Sequence, residues 1–294
     1  MSMVASFLLF LAAGKEPLGP GDHTCKVQVG DVTRSYLMHV PPSYDPKKKT
    51  PVVLAFHGAI MTPEMMTLFT GLNEKADKAG FIAVYPTGTG SGLFLTWNAG
   101  GFWKIANKAD DIGFVKKLLD DLPKVANIDP QRIYATGMSN GAMMCFRVGA
   151  ELSERIAAIA PVAGTMVIEE FKPKRPVPVM YFHGTADKLV PFGEAGKKSA
   201  FRSVEDCVQM WVKANGCPKD PKVKELPNKA DKLQVTQKTY GPCKNGAEVI
   251  LYVIDGGGHT WPGMPPPVSW IGLSTGNISA NDLMWEFFKR HPLK

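Results

Sequence analysis

Residues 132–152 read Arg132-Ile-Tyr-Ala-Thr136-Gly137-Met138-Ser139-Asn140-Gly141-Ala-Met-Met-Cys145-Phe-Arg-Val-Gly-Ala-Glu-Leu152. Arg132 to Thr136 is a short apolar run, the pattern of a buried strand. Asn140 to Leu152 carries apolar residues at helical spacing. Between them lies Gly-Met-Ser-Asn-Gly, a G-x-S-x-G pentapeptide. A strand, a sharp turn and a helix around such a pentapeptide hold its serine exposed on a strained backbone, as a nucleophile requires. Small residues two before and two after Ser139 let neighbouring chain approach. The competing reading is a glycine-rich helix entry in which Ser139 merely caps the helix.

The segments on either side follow the same alternation. Cys25–Val29 and Arg34–Val40 alternate about Gly30-Asp31 and predict an antiparallel hairpin. Pro51–Phe56, Phe81–Tyr85, Ile156–Val162, Val177–Phe182 and Val249–Ile254 are short apolar runs, as expected of strands covered on both faces. Helices are predicted over Glu64–Ala79, Asp110–Val125, Val204–Asn215 and Ser279–Arg290, with Asp110 or Asp111 and Ser279 or Asn281 as caps. Thr87–Lys108 has no period and reads as a long loop. The fold class is therefore α/β: a mostly parallel central sheet, an antiparallel amino-terminal hairpin, and helices on both faces. Functional groups in such sheets gather at the carboxyl ends of the strands.

A serine needs a base to take its proton. His259 follows the Val249–Ile254 strand in Asp255-Gly-Gly-Gly-His259-Thr-Trp-Pro-Gly263, where glycines free the loop to aim an imidazole. His57 and His183 also end strands but precede the positions a base needs in the order Ser, acid, His. They are expected to hold loops by hydrogen bonds. His23, His39 and His291 lie away from the predicted edge. The acid that orients the imidazole is expected at Asp187, in Phe182-His-Gly-Thr-Ala-Asp187, with Asp255 as runner-up. Two N–H donors must await the developing oxyanion. Asn140 supplies one as the residue after the serine. The loop after Phe56-His57-Gly58 supplies the other, at Ala59 or alternatively Ile60.

The chain has 294 residues, 45% hydrophobic and 21% charged, with a net charge of +7. That is apolar material for one sizeable core, and no linker divides residues 22–294 into domains. The lysines are scattered among prolines in Lys47–Lys49, Lys172–Arg175 and Lys219–Lys232, without an aromatic-basic motif, which argues against nucleic acid as a partner. Residues 1–14 carry an apolar run too short to span a bilayer, ending in Ala12-Ala13-Gly14. They read as a signal peptide, implying a secreted or periplasmic protein without stable membrane insertion. No Lys or Arg precedes the run, so a buried amino-terminal strand or a start site chosen too late competes. Export would permit a disulfide, and Cys217 and Cys243 flank a turn-rich stretch it would close. Cys145 falls on the apolar side of its helix as a free thiol. Cys25 and Cys207 can pair, but connectivity is not fixed by sequence. No CxxC occurs, and no metal site is expected.

Taken in order, His57-Gly58, Trp97-Asn98-Ala99-Gly100, Asp110-Asp111-Ile-Gly-Phe114, Gly-Met-Ser-Asn-Gly, Ala160-Pro-Val-Ala-Gly164, His-Gly-Thr-Ala-Asp187 and Gly-Gly-Gly-His259-Thr-Trp-Pro-Gly resemble the secreted polyhydroxybutyrate depolymerase and feruloyl esterase family of α/β-hydrolases. The resemblance covers the chain after about residue 22. It implies ester hydrolysis by a Ser-His-Asp triad, without metal or organic cofactor, the triad falling on Ser139, Asp187 and His259. Family members often have cysteine where this chain has Ala59, and a cysteine pair where it has Phe102-Trp103. A disulfide bracing that loop is thus expected to be absent. Trp97, Phe102, Trp103 and Trp261 are candidates for lining an apolar cleft, Trp261 foremost, against packing of the loops onto the core. The expected partner is an ester substrate, polymeric or small: a polyhydroxybutyrate-type polyester or oligomer, or a feruloyl or acetyl ester of plant polysaccharide. The alternatives are a serine peptidase of the same fold and a non-catalytic polymer-binding module.

Overall fold

A computed structural model describes residues 17–193 and 201–294. The predicted signal peptide, residues 1–14, lies outside the described residues. The elements run β1 (Gly21–Val29), β2 (Val32–Val40), β3 (Thr50–Phe56), α1 (Pro63–Thr70), α2 (Leu72–Ala79), β4 (Ile82–Pro86), β5 (Thr89–Ser91), β6 (Phe94–Thr96), α3 (Trp103–Ala106), α4 (Asp111–Val125), β7 (Ile128–Met138), α5 (Asn140–Glu151), β8 (Ile159–Val162), β9 (Val179–Gly184), α6 (Val204–Asn215), β10 (Lys222–Glu225), β11 (Val235–Tyr240), β12 (Val249–Ile254) and α7 (Ala280–Arg290).

Ten strands form one sheet in the order β1-β2-β4-β3-β7-β8-β9-β12-β11-β10. The six central strands, β4 to β12 in that order, are parallel. The amino-terminal hairpin joins antiparallel at one end, and β11 and β10 join antiparallel at the other. The central strands are buried on both faces because alternate side chains enter different cores. Val52, Leu54, Ile133, Ala135, Val179 and Leu251 pack with α4, α5 and α6. Val53, Ala55, Tyr134, Met180 and Ile250 pack with α1, α2 and α7.

Several predictions of local structure needed correction. The helix expected over Glu64–Ala79 is two helices, parted at Gly71, whose φ of 59° ends one and starts the next. The loop expected over Thr87–Lys108 contains the β5–β6 hairpin and the single turn α3. Strands β10 and β11 were not anticipated. β10 is exposed at every residue and β11 is half-buried along most of its length, so neither carries an apolar signal.

Cys217 and Cys243 are disulfide-bonded as expected, while Cys25, Cys145 and Cys207 are buried free thiols, so Cys25 and Cys207 do not pair. The bridge joins residues 26 apart and ties the end of α6 to the approach to β12. Loop-closure entropy predicts that Cys217→Ser with Cys243→Ser lowers stability by about 3 kcal/mol. Urea unfolding of the variant against the oxidised parent measures it. No helix among the described residues is long and apolar enough to cross a membrane.

Candidate active site

Strand register decides which loops meet. Phe56 pairs with Gly137, Met138 with Val162, Val162 with Phe182, and Gly184 with Ile254. The carboxyl ends of β3, β7, β8, β9 and β12 therefore line one edge. His57, Ser139, Asp187 and His259 all leave from that edge.

Ser139 has φ 57° and ψ −121° between β7 and α5. A non-glycine residue at positive φ is strained, and such strain is kept where the surroundings enforce it. Its N–H donates to Val162 O at 3.0 Å and its carbonyl accepts from Met143 N at 3.0 Å. At Gly141 a side chain would run into the carbonyls of Phe56 and His57, so β3 approaches α5 only because that position is glycine. The Ser139 side chain makes no capping hydrogen bond to the helix. Capping thus does not account for this serine.

Asp187 follows β9 and is buried. Its Oδ1 accepts from the N–H groups of Leu189 and Val190, each at 2.9 Å. Its Oδ2 lies 2.7 Å from His259 Nδ1. A carboxylate only accepts, so that contact requires Nδ1 to carry a proton. Asp255, the runner-up, is exposed and accepts from Thr185 Oγ1 at 2.9 Å instead. The His259 backbone is braced by Ile271 O, which accepts its N–H at 2.7 Å, and the preceding Gly258 N–H donates to Leu273 O at 2.9 Å. Among the described residues no hydrogen bond joins Ser139 Oγ to His259.

Asn140 and Ala59 were the expected oxyanion donors, with Ile60 as alternative. The Ile60 N–H is taken by Leu95 O at 2.9 Å. The N–H groups of Asn140 and Ala59 donate to no group among the described residues. Asn140 stands at the first position of α5, where a helix has no internal acceptor for its N–H and carries partial positive charge.

His57 and His183 hold loops, as expected. His57 Nδ1 meets Gly58 O at 2.7 Å, and its Nε2 accepts from Gly88 N at 2.9 Å. His183 meets Val190 O through Nε2 at 2.8 Å and Tyr181 Oη through Nδ1 at 2.9 Å. Burial lowers the pKa of each to about 4. An unfolded chain binds those protons near pH 6.5, so between about pH 6.5 and 4 it holds more protons than the native state. Stability is then intact above about pH 6.5 and is lost as pH falls toward 4, on the order of 3 kcal/mol per histidine. Urea unfolding at pH 7, 5.5 and 4.5 gives the slope; a flat profile would mean that both rings accept protons in the native state.

Two tryptophan assignments are corrected. Trp97 is fully buried and Trp261 is 1% exposed. Trp97 packs on Phe56 and His57, and Trp261 donates from Nε1 to Asn281 at 3.0 Å. Both fasten loops instead of lining a cleft. Trp103 is half-buried, with Nε1 3.2 Å from Met143 Sδ, and Phe102 lies against it. Apolar side chains that face outward on the segments following these strands include Ile60, Phe94, Ile105, Leu189 and Trp270, the last 68% exposed. Trp270 went unnoticed in the sequence because it lies in an aperiodic proline-rich stretch.

Other links were hidden by distance along the chain. The Asn140 amide accepts from Trp97 N at 2.7 Å and donates to Trp97 O at 3.2 Å. Asp110 caps α4, whereas Asp111 is buried, paired with Arg34 at 2.8 Å and accepting from Asn98 N at 2.7 Å. Burial pushes the Asp111 carboxyl up against the pull of Arg34. These bonds fix the Trp97-Asn98 segment beside the turn that carries Ser139.

No protein-family model matches the chain. A protein named as an esterase, NocK of Nocardia uniformis subsp. tsuyamanensis, is 30% identical over 302 residues, covering 95% of this chain and 86% of that protein. The chain belongs to the polyhydroxybutyrate depolymerase and feruloyl esterase family of α/β-hydrolases. This protein is therefore a carboxylic ester hydrolase. Feruloyl esterase B of Piromyces equi is 29% identical over 237 residues, 77% of this esterase but only 42% of the relative. In fold, the esterase is similar to the acetyl xylan esterase of Aspergillus awamori, with a TM-score of 0.64 at 16% identity over 91% of this chain and 99% of that one.

Proposed function

We propose that this esterase hydrolyses its substrate through Ser139 as nucleophile, His259 as general base and Asp187 as the acid that orients the imidazole. The observation that carries the reading is the 2.7 Å contact between His259 Nδ1 and Asp187 Oδ2, on the edge from which the strained Ser139 also projects. It leaves Nε2 able to accept the Ser139 proton. The bond from nucleophile to base is often long in a free enzyme and tightens when substrate binds.

As Ser139 Oγ bonds to the ester carbonyl carbon, its proton passes to His259 Nε2 and the carbonyl oxygen becomes an oxyanion. The N–H groups of Asn140 and Ala59 receive that charge. The tetrahedral intermediate collapses, the carbon–oxygen bond to the alcohol breaks, and His259 protonates the departing alcohol. Water then attacks the acyl-enzyme by the same route and frees the acid and the serine. Asp187 stays ionised throughout and stabilises the imidazolium.

For substrate, the outward-facing Phe94, Ile105 and Trp270 favour an ester with a bulky apolar or aromatic acyl group. Feruloyl esters of polysaccharide and hydroxybutyrate oligomers both meet that description, and acetyl esters less so. The disulfide and the amino-terminal apolar run support a secreted or periplasmic enzyme. Three measurements test the reading. A fluorophosphonate should label Ser139, as located by peptide mass spectrometry. The kcat/KM should be higher on methyl ferulate or hydroxybutyrate oligomers than on acetylated xylan, and a matched amide should be cut far more slowly than its ester. An unlabelled Ser139 would refute its assignment as the nucleophile, and equal amide cleavage would add a peptidase activity to the esterase.

A further inference from the structure

We propose that His57 is a positioning residue for catalysis, setting the direction of the Ala59 oxyanion donor through the peptide plane that joins Gly58 to Ala59. The inference rests on the reading of Asn140 and Ala59 as the oxyanion donors. A trans peptide is planar, and its C=O and N–H point in opposite directions. Gly58 O and Ala59 N–H belong to one such unit. A hydrogen bond that fixes the carbonyl therefore fixes the N–H on the other side. His57 Nδ1 makes that bond at 2.7 Å. A side chain at Gly58 would stand 3.5 Å from the Ser139 Cβ, so this peptide lies beside the nucleophile.

The ring can only donate to Gly58 O if its proton is on Nδ1. Gly88 enforces that state, because its N–H points at Nε2 from 2.9 Å and requires a lone pair there. A side chain at Gly88 would come within 2.9 Å of both Cε1 and Nε2 of the ring, so only glycine brings the donor this close. The ring is held in place by its neighbours. Trp97 packs on it with ring centroids 5.0 Å apart and donates from Nε1 to His57 O at 3.0 Å. Asn140, whose N–H is the other oxyanion donor, clamps the Trp97 backbone with its side chain. Both donors are thus tied to one buried network. Such fixed donors stabilise a transition state without reorganising when charge develops.

Three substitutions separate this role from simple packing. His57→Asn keeps a donor near the place of Nδ1, His57→Gln keeps a group near the place of Nε2, and His57→Phe keeps neither. Loss of one oxyanion donor costs about 10²-fold or more in kcat. The expected result is a fall of about that size in kcat for the Gln and Phe variants, with KM within twofold of the parent and at least a tenfold partial rescue in His57→Asn. Affinity for a trifluoromethyl ketone, which forms a tetrahedral oxyanion adduct, should fall in step with kcat. Equal loss in all three variants, or a loss confined to KM, would overturn the proposal. Should the variants fail to fold, ¹⁵N NMR of the parent decides: an Nδ1–H tautomer at neutral pH supports it, and an Nε2–H tautomer or an imidazolium sinks it. Fluorophosphonate labelling of Ser139 in the parent is read separately. Failed labelling refutes the catalytic reading itself, whereas successful labelling with no kcat effect refutes only the role of His57.

Discussion

Replacing Ser139 with alanine should lower kcat by at least about 10⁴-fold on any ester the enzyme accepts, while substrate still binds. The effect is large because, in the mechanism proposed, Oγ forms the acyl-enzyme, and among the described residues no other hydroxyl residue has a positive φ. The backbone makes a second expectation. At φ 57° and ψ −121° the residue pays a steric cost that glycine does not have, of about 1–3 kcal/mol. Ser139→Gly should therefore lose activity as fully as Ser139→Ala yet unfold at higher urea than it. Steady-state kinetics on p-nitrophenyl esters and parallel urea titrations check both. Activity within tenfold of the parent in Ser139→Ala would end the assignment of the nucleophile.

Asp187→Asn should cost about 10⁴-fold in kcat with little change in the fold. The environment of the carboxylate says why. Oδ1 accepts two backbone N–H groups, from Leu189 and Val190, so in the asparagine variant that position must remain an oxygen. The amide nitrogen then falls where Oδ2 was, facing His259 Nδ1. An NH₂ donor there demands that Nδ1 become an acceptor. The imidazole proton moves to Nε2, and the base that should accept from Ser139 becomes a donor. The variant also loses the charge that stabilises the imidazolium. A ¹⁵N spectrum reporting the tautomer should change together with kcat. Full activity with a reversed tautomer would refute the role given to His259.

Some of this arrangement was legible along the chain and some was not. Ser139 was legible because its glycines at 137 and 141 sit at a strand-to-helix boundary, and both the boundary and the spacing are local. Asp187 and His259 were legible as candidates because each follows a short apolar strand and comes after Ser139 in the order Ser, acid, His that goes with a Gly-x-Ser-x-Gly turn. Trp97 and Trp261 were misread. An aromatic residue in an aperiodic loop has the same local sequence whether the loop folds inward or stays open, and only packing against Phe56, His57 and Asn281 distinguishes the two. Strand β10 escaped for the opposite reason, since an edge strand exposed at every residue has no buried side to mark it. The break at Gly71 was hidden inside a run that is helical on both sides of it.

The amino-acid order by itself determined the α/β alternation, the turn that carries Ser139 and the residue types available at the sheet edge, because those depend on neighbours within a few positions. The tertiary structure alone decided that Asp187 and not Asp255 meets His259, that Ile60 and not Ala59 spends its N–H on a partner among the described residues, and which indoles are sealed in the core. Each of those outcomes depends on a hydrogen bond or a packing contact between segments tens of residues apart, and strand register, which no local pattern encodes, selects the partners.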